Sequence, residues 1–169
     1  LLVGKLSTSL PVVDDEQRVV GLITDGDLLT RGGLQQRMSV TERLDSATLA
    51  DQMDELRRTA KTAKDVMTSP VLTTRDDAAL AHAVSLMVER RLKRLPVVDA
   101  EDRLVGMLSR VDVLRTVEAG RMTDHLVPAS SAVGQTVGEV MEPTVPTVPL
   151  GAELAHIADQ MARSALKRV

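Results

Sequence analysis

Two short segments of this sequence place a hydroxyl group three residues before a carboxylate. They are Thr24-Asp25-Gly26-Asp27 and Ser109-Arg110-Val111-Asp112. In the pattern [ST]xx[DE], the hydroxyl and the carboxylate satisfy backbone amides in the first turn of a helix. A carboxylate at such a turn can also accept hydrogen bonds from two vicinal ribose hydroxyls, while the hydroxyl and the helix N-terminus can bind phosphate. The pattern leaves two interpretations open: a helix cap alone, or a cap that also binds a nucleotide.

Both segments lie in a longer repeat, which indicates that they occupy equivalent structural positions. Residues 10–29 read LPVVDDEQRVVGLITDGDLL, and residues 95–114 read LPVVDAEDRLVGMLSRVDVL. Aligned without a gap at an offset of 85, they agree at 11 of 20 positions. Internal repetition at a fixed spacing is a strong predictor of fold organisation.

A second repeat relates two other stretches of the chain. Residues 65–95 and residues 139–169 agree at 12 of 31 positions at an offset of 74. Together the two repeats predict one complete unit at 64–118. They also predict a second half-unit at 1–30 and a first half-unit at 136–169. The chain is therefore expected to begin and end inside repeats and to be part of something longer.

Local patterns give the order of elements in the complete unit. β-branched residues predict a strand at 71–74, and apolar residues at helical spacing predict a helix from Leu80, capped by Asp76 or Asp77. Two further strands are predicted at 95–98 and 103–108, followed by a helix at 109–117. The resulting β-α-β-β-α unit is small and has a thin core, so each unit is expected to need a partner.

These residues resemble the CBS domain. The second halves match its run of LPVVD, a glycine and [ST]xxD, and the first halves match its opening with VM, a proline and a later KR. The resemblance implies an α/β fold in which CBS-type β-α-β-β-α repeats pair into a Bateman module. It also implies an adenosine-containing regulatory ligand, such as AMP, ADP, ATP or S-adenosylmethionine, with no cofactor required.

The resemblance also assigns roles to individual residues. Asp27 and Asp112 would bind ribose, and Thr24 and Ser109 would lie beside the phosphates. Arg110 lies inside the motif and is a further candidate for phosphate contact. Its counterpart Asp25 is acidic, so the first site is expected to tolerate polyphosphate less well than the second.

The family places adenine against the first strand and against the strand that begins with Leu-Pro. In the complete unit the matching residues are Met67, Thr68, Pro70 and Val71, together with Pro96 and Val97. In the N-terminal half-unit they are Pro11 and Val12. For Val12 and Val97, a place in the hydrophobic core is an equally good interpretation.

Two segments connect the repeats. Residues 31–63 are predicted to form a helical linker, because Leu49, Met53 and Leu56 share one helical face and a capping box precedes them. Residues 119–135 contain Gly, Pro and Ser and are predicted to connect the units.

Composition argues against several classes of protein. The chain has no Cys, Trp, Tyr or Phe and a formal net charge of −3. It therefore offers no thiol chemistry and no ring on which single-stranded bases could stack. No apolar run approaches the ~20 residues of a membrane span. The three histidines form no metal-ligand cluster. These features predict a cytoplasmic protein that is not an enzyme and has no nucleic-acid partner, metal or membrane insertion.

The function predicted from the sequence is regulatory. A module of paired CBS units would sense an adenosine nucleotide and control an effector domain or protein outside this chain. The alternative is a purely structural CBS dimerisation module with no bound ligand. In both cases a homodimer or larger assembly is expected, because half-units at both ends would leave uncovered sheet edges. Residues 1–30 are expected to pair with the complete unit 64–118.

Overall fold

The computed structural model describes residues 9–33, 46–118 and 134–166, which fold into two compact units. Among the described residues, the second unit contains 16–19, 72–118 and 134–145. The first unit contains the remainder, so it combines residues from both ends of the described chain.

The first unit contains three strands and four helical elements. The elements are β1 (Ser9–Val13), β2 (Val19–Thr24), α1 (Asp25–Asp27), α2 (Ser46–Arg58), α3 (Ala63–Val66), β6 (Val148–Pro149) and α6 (Leu154–Leu166). The short helix α1 continues into a single π-helical turn at Leu28–Gly32.

The second unit follows the predicted β-α-β-β-α order. Its elements are β3 (Thr74–Arg75), α4 (Leu80–Glu89), β4 (Arg94–Val98), β5 (Leu104–Ser109) and α5 (Arg110–Glu118). A 3₁₀ turn at Val137–Glu139 also belongs to it. Both units combine a small sheet with helices, which confirms the predicted α/β fold class.

The strands of the first unit lie in the order β2-β1-β6. β1 and β6 are parallel, with Val12 opposite Val148 and Val13 opposite Pro149. The sequence-based prediction that residues 1–30 pair with the complete unit 64–118 is therefore wrong for β1. The reason is that the C-terminal half-repeat supplies the strand and helix that the N-terminal half-repeat lacks. The edge of β1 that was expected to favour a dimer is covered within the chain.

The second sheet has the order β3-β4-β5, and all three of its strands come from the complete repeat. β3 and β4 are parallel, and β4 and β5 are antiparallel. β3 is shorter than predicted and begins at Thr74 rather than at residue 71. The helix cap predicted at Asp76 or Asp77 is also wrong: Ala79 precedes α4, and the Leu80 N–H donates to the Gln135 carbonyl at 2.9 Å.

Each unit has its own aliphatic core, as a chain without aromatic rings requires. In the first unit Leu10, Ile23 and Ile157 have no exposed surface, and in the second Leu80 and Leu95 have none. Burying each such side chain contributes about 1.5–3 kcal/mol. The helix α2, inside the predicted linker 31–63, packs against α6, and its Leu56 is 2% exposed in the first core.

Each sheet is also bordered by the segment that opens a first half-repeat. We call residues 62–68 and 136–142 the openers. The first opener bridges β2 between Leu22 and Thr68, and the second bridges β5 between Met107 and Glu142. The opener of the complete repeat therefore lies in the first unit, and the opener of the C-terminal half-repeat lies in the second.

Candidate functional site

The predicted motif at Thr24 forms a capping box at the end of β2. The Thr24 backbone N–H and hydroxyl both donate to Oδ2 of Asp27, at 2.8 and 2.7 Å, and the Asp27 N–H donates to the Thr24 hydroxyl at 3.4 Å. This arrangement follows from the local sequence, because strand β2 ends where the helix begins. Oδ2 is thus used for capping, and Oδ1 is directed to other groups.

Oδ1 of Asp27 connects the cap to the first opener. The Thr68 hydroxyl donates to it at 3.3 Å, and Nη1 of Arg31 lies 3.7 Å away. The same Arg31 nitrogen donates to the carbonyls of Val66 and Met67 at 3.1 and 2.9 Å. Arg31 therefore ties the helical turn that follows the motif to the backbone of the opener.

The motif at Ser109 repeats this cap in the second unit. The Ser109 backbone N–H donates to Oδ2 of Asp112 at 2.8 Å, and the Ser109 hydroxyl donates to the same oxygen. Nη1 of Arg115 lies 3.7 Å from Oδ1. The Asp112 side chain is 15% exposed and that of Asp27 is 12% exposed, so both carboxylates are largely buried but reach the surface.

A cavity of about 210 Å³ borders the second motif. It is formed by α5 and the second opener, and its lining contains three carboxylates and one arginine. The lining residues are Asp112, Arg115, Thr116, Glu139, Val140, Met141 and Glu142.

Two glycines allow the openers to approach the sheets. Leu22 and Thr68 exchange backbone hydrogen bonds of 3.1 and 2.9 Å, and Met107 and Glu142 exchange two of 2.9 Å. A Cβ on Gly106 would lie 2.6 Å from the Glu142 carbonyl oxygen. A glycine inside a strand often marks such a close backbone approach. The repeated glycines at 21 and 106 were thus a signal for the opener contacts, which the sequence-based interpretation missed.

The first opener begins with a capping box between Thr62 and Asp65. The Thr62 backbone N–H and hydroxyl donate to Oδ2 of Asp65 at 2.7 and 2.9 Å. These bonds stabilise the charged form and hold the pKa of Asp65 below its ordinary value. The second opener has the same capping box, with Thr136 and Glu139.

The structure divides the residues that were predicted to hold adenine. Met67 and Thr68 lie in the first unit beside Asp27, whereas Pro96 and Val97 lie in the second. The physical reason is that each opener pairs with the sheet of the other repeat. The repeat equivalents Met141 and Glu142 border Asp112 instead.

The remaining predicted adenine contacts have different surroundings. Val12 and Val97 have no exposed surface and belong to the two cores, and Pro11 and Pro96 are buried beside them in their strands. The core interpretation therefore describes both valines. Pro70 is exposed and Val71 half-buried in the first unit.

Arg110, the predicted phosphate ligand, is directed toward the segment that joins α4 to β4. Its Nε donates to the Leu92 carbonyl at 2.9 Å, and its backbone N–H donates to Lys93 at 3.2 Å. Arg110 is not among the residues that line the cavity. Its counterpart Asp25 is buried, with 3% of its surface exposed. Across the described ranges, no group of three or more His, Cys, Asp or Glu residues could hold a metal ion.

Comparison with known proteins identifies the family. The model of the CBS domain matches residues 4–32 and 63–119, just over half of the chain. This chain belongs to the CBS domain family. The chloroplastic CBS domain-containing protein CBSX2 of Arabidopsis thaliana is 37% identical over 122 residues, which are 68% of this chain and 51% of that protein. The chain therefore spans about half the length of this relative.

Solved CBS structures share the fold. The structure of CBSX2 is 32% identical, covers 69% of this chain and 74% of its own, and gives a TM-score of 0.50. AcuB from Vibrio cholerae is 27% identical, with coverages of 63% and 72% and a TM-score of 0.53.

CBS sequences also occur inside larger enzymes. Inosine-5′-monophosphate dehydrogenase of Methanocaldococcus jannaschii is 32% identical over 108 residues, which are 64% of this chain but 17% of the enzyme. This limited match transfers no catalytic activity to the CBS chain. In the part of the chain that the structure describes, no helix is long and apolar enough to cross a membrane. The cytoplasmic location stays a prediction.

Proposed function

We propose that this CBS chain is a ligand-sensing module that binds an adenosine-containing molecule beside each [ST]xxD motif. The observation that carries the proposal is the different use of the two oxygens of Asp112. Oδ2 accepts both hydrogen bonds from Ser109, whereas Oδ1 lies 3.7 Å from Arg115, and the residue borders a cavity. A carboxylate has about four acceptor positions, so Oδ1 can accept from ribose hydroxyls while Oδ2 maintains the cap.

The first unit supports the same proposal with one difference. Oδ2 of Asp27 is again used by the cap, but Oδ1 already accepts from the Thr68 hydroxyl at 3.3 Å. A ribose hydroxyl bound there would share Oδ1 with Thr68 or displace it. Ligand binding in the first unit would therefore act directly on the opener.

A relative supports the ligand class. CBSX2, with 37% sequence identity to this chain, is known as a complex with AMP. The chemistry needed for that class would be a ribose acceptor at Asp27 or Asp112, with Thr24 or Ser109 beside it. AMP, ADP, ATP and S-adenosylmethionine all carry the same two ribose hydroxyls, so all four are candidates.

The regulatory part of the proposal concerns the openers. A ligand controls an effector only if it binds two arrangements of the module with different affinity. In each unit the motif carboxylate and the opener border the same region, so a bound ligand would contact both. We infer that the ligand shifts the opener and that this shift reaches an effector outside the chain.

The test is the ligand-induced rise in melting temperature. At a ligand concentration of 100 times Kd, binding should stabilise the protein by about 2.7 kcal/mol. Asp112→Ala removes the ribose acceptor in the second unit and should reduce the shift, although losing the cap costs about 1 kcal/mol by itself. The shift within each variant is therefore the informative quantity.

Asp99→Ala is the matched control. Asp99 accepts from the backbone N–H groups of Glu101 and Arg103 in the β4–β5 turn, at the opposite end of the strands from Ser109. This variant should melt lower yet keep the full ligand shift. Equal ligand-induced shifts of melting temperature in wild type and Asp112→Ala would show that Asp112 does not contribute to ligand binding.

A structural dimerisation module is the second candidate. Val111 and Leu114 lie one turn apart on α5 of the second unit and are 52% and 61% exposed, and Val88 on α4 is 67% exposed. A contiguous exposed surface of such side chains would favour association. This candidate predicts a homodimer by light scattering and no melting shift with any of the four ligands. A homodimer that also shows the shift would agree with ligand sensing.

A further inference from the structure

Both openers place a methionine sulfur against a glycine of the strand that they border. A Cβ on Gly21 would lie 2.2 Å from Sδ of Met67, and a Cβ on Gly106 would lie 2.7 Å from Sδ of Met141. Each sulfur therefore occupies the space that a side chain on the strand would need. Met67 and Met141 are equivalent in the repeat, at the offset of 74. The same contact is thus present once in each unit.

Small oxidants can reach the sulfur atoms of the openers. Met67 and Met141 are half-buried, and Met141 lines the cavity of about 210 Å³. Met87, Met107 and Met161, in contrast, are no more than 4% exposed. The chain has no cysteine and no aromatic ring, so the thioethers are its most readily oxidised side chains. A peroxide should therefore attack the opener methionines well before those of the cores.

The sulfoxide does not suit the place that the thioether occupies. Met67 and Met141 pack against the apolar cores of their units, and oxidation makes the side chain polar. The backbone N–H groups of Leu22 and Met107, next to the two glycines, already donate to opener carbonyls at 3.1 and 2.9 Å. Because a buried oxygen without a donor is unfavourable, the oxidised side chain must turn toward water and leave the glycine.

We propose that Met67 and Met141 are sites of reversible oxidation by a peroxide, and that the sulfoxide releases each opener from its strand. A lone pair on Sδ attacks one oxygen of hydrogen peroxide, a sulfur–oxygen bond forms, and the O–O bond breaks. The proton of the newly bound hydroxyl passes to the departing hydroxide, which leaves as water. Sulfur loses two electrons and the peroxide gains them. In the reverse direction a dithiol, acting through methionine sulfoxide reductases, becomes a disulfide, and the oxygen leaves as water.

Two amide protons report directly on the openers. The N–H of Leu22 donates to the carbonyl of the residue that follows Met67, and the N–H of Met107 donates to the carbonyl of the residue that follows Met141. Release of an opener exposes these protons to water, so their exchange should accelerate. Leu108, which pairs with β4, should keep its slow exchange as long as the second sheet is intact.

The test is hydrogen exchange of the intact chain, measured for single amides before and after treatment with hydrogen peroxide. Peptide mass spectrometry would locate the added oxygen. Met67 and Met141 should be oxidised about tenfold faster than Met87 and Met161, and exchange of the two reporter amides should then rise about tenfold or more. Methionine sulfoxide reductases of both epimer specificities, supplied with a dithiol, should restore the slow exchange.

Leucine variants separate the openers from the other methionines. Met141→Leu nearly conserves the side-chain volume and has no sulfur, so peroxide should no longer accelerate exchange at Met107. Met67→Leu should protect Leu22 in the same way. Met53 is the matched control, because it is also half-buried and lines a different cavity of about 380 Å³ between α2 and α6. Met53→Leu should leave both effects of peroxide intact.

Several results would overturn the proposal. One is oxidation of Met67 and Met141 no faster than that of the buried methionines, and another is oxidation that leaves exchange of the reporter amides unchanged. An undiminished rise at Met107 in Met141→Leu would show that a different sulfur is responsible. Exchange that rises equally at Leu108 and Met107 would show general unfolding instead of opener release. A sulfoxide that the reductases do not remove would contradict reversibility.

Discussion

At the scale of single residues, the second sheet depends on the missing side chain of Gly106. A Cβ there would lie 2.6 Å from the Glu142 carbonyl oxygen, which is backbone and can move only if the opener moves. Gly106→Ala should therefore destabilise the chain by about 1–3 kcal/mol, as overpacking does. Since the chain has no tryptophan for fluorescence, urea unfolding should be followed by circular dichroism of the helices.

Gly21→Ala is the matched control at the equivalent repeat position. A Cβ there would meet mainly the side chain of Met67, which is flexible and can turn aside. The loss of stability should be clearly smaller than for Gly106→Ala. Equal losses would contradict the view that contact with opener backbone decides the effect.

The parts of the site that could be predicted from the sequence are those formed by near neighbours. Thr24 and Ser109 cap with Asp27 and Asp112 because hydroxyl and carboxylate are three residues apart, a spacing visible in the sequence. The contact of Thr68 with Asp27 joins different repeats, and no local pattern encodes it. Met67 and Thr68 therefore lie beside Asp27 in the first unit and not with Pro96 and Val97 in the second, while the adenine contacts themselves stay a prediction.

At the scale of elements, the first opener begins with a charged cap that should respond to acid. Hydrogen bonds from Thr62 lower the pKa of Asp65, so the carboxylate stabilises the folded state fully above its unfolded pKa of 3.8. That contribution is lost as the pH falls through the lowered folded value. Stability measured between about pH 5 and 2 should thus fall more steeply in wild type than in Asp65→Asn.

The informative quantity is the difference between the pH dependence of stability in wild type and that in Asp65→Asn. Asp77 also has a lowered pKa, through its bond from Arg75, and it will contribute to acid unfolding in both. Identical pH profiles for wild type and Asp65→Asn would show that the Thr62 cap does not stabilise the opener.

The boundaries of the elements show which features local sequence patterns could not predict. The helix at α4 was predicted from its apolar spacing, and it begins at Leu80 as expected. The group that caps this helix was predicted wrongly, because the Leu80 N–H donates to the Gln135 carbonyl, which follows the connection between the repeats. Val88, near the end of this helix, is apolar yet 67% exposed. A periodic pattern therefore located the helix, while its partners came from distant sequence.

At the scale of the whole molecule, the repeats predicted which parts are related but not which parts join. The N-terminal half-repeat has its hairpin, and the C-terminal half-repeat has the strand and helix that complete it. The parallel pairing of β1 with β6 joins them into one unit. Such distant pairing carries a large loop-closure cost, so the first unit should form more slowly than the second.

Leu154 and Leu80 provide a matched test of this arrangement. They are equivalent in the repeat, and both have no exposed surface, Leu154 in the first core and Leu80 in the second. Each change to alanine should cost about 2–5 kcal/mol through a cavity. Hydrogen exchange should then rise at β1 and β2 in Leu154→Ala, and at β4 and β5 in Leu80→Ala.

The decisive measurement is exchange at Leu10–Val13, far from Leu154 in sequence. If β1 and β6 share one core, weakening α6 must loosen β1, because local opening follows the contacts of the folded unit rather than chain order. If Leu154→Ala leaves exchange at β1 unchanged while loosening β4 and β5, the two half-repeats do not complete each other. The prediction that the N-terminal hairpin pairs with the complete repeat would then regain its support.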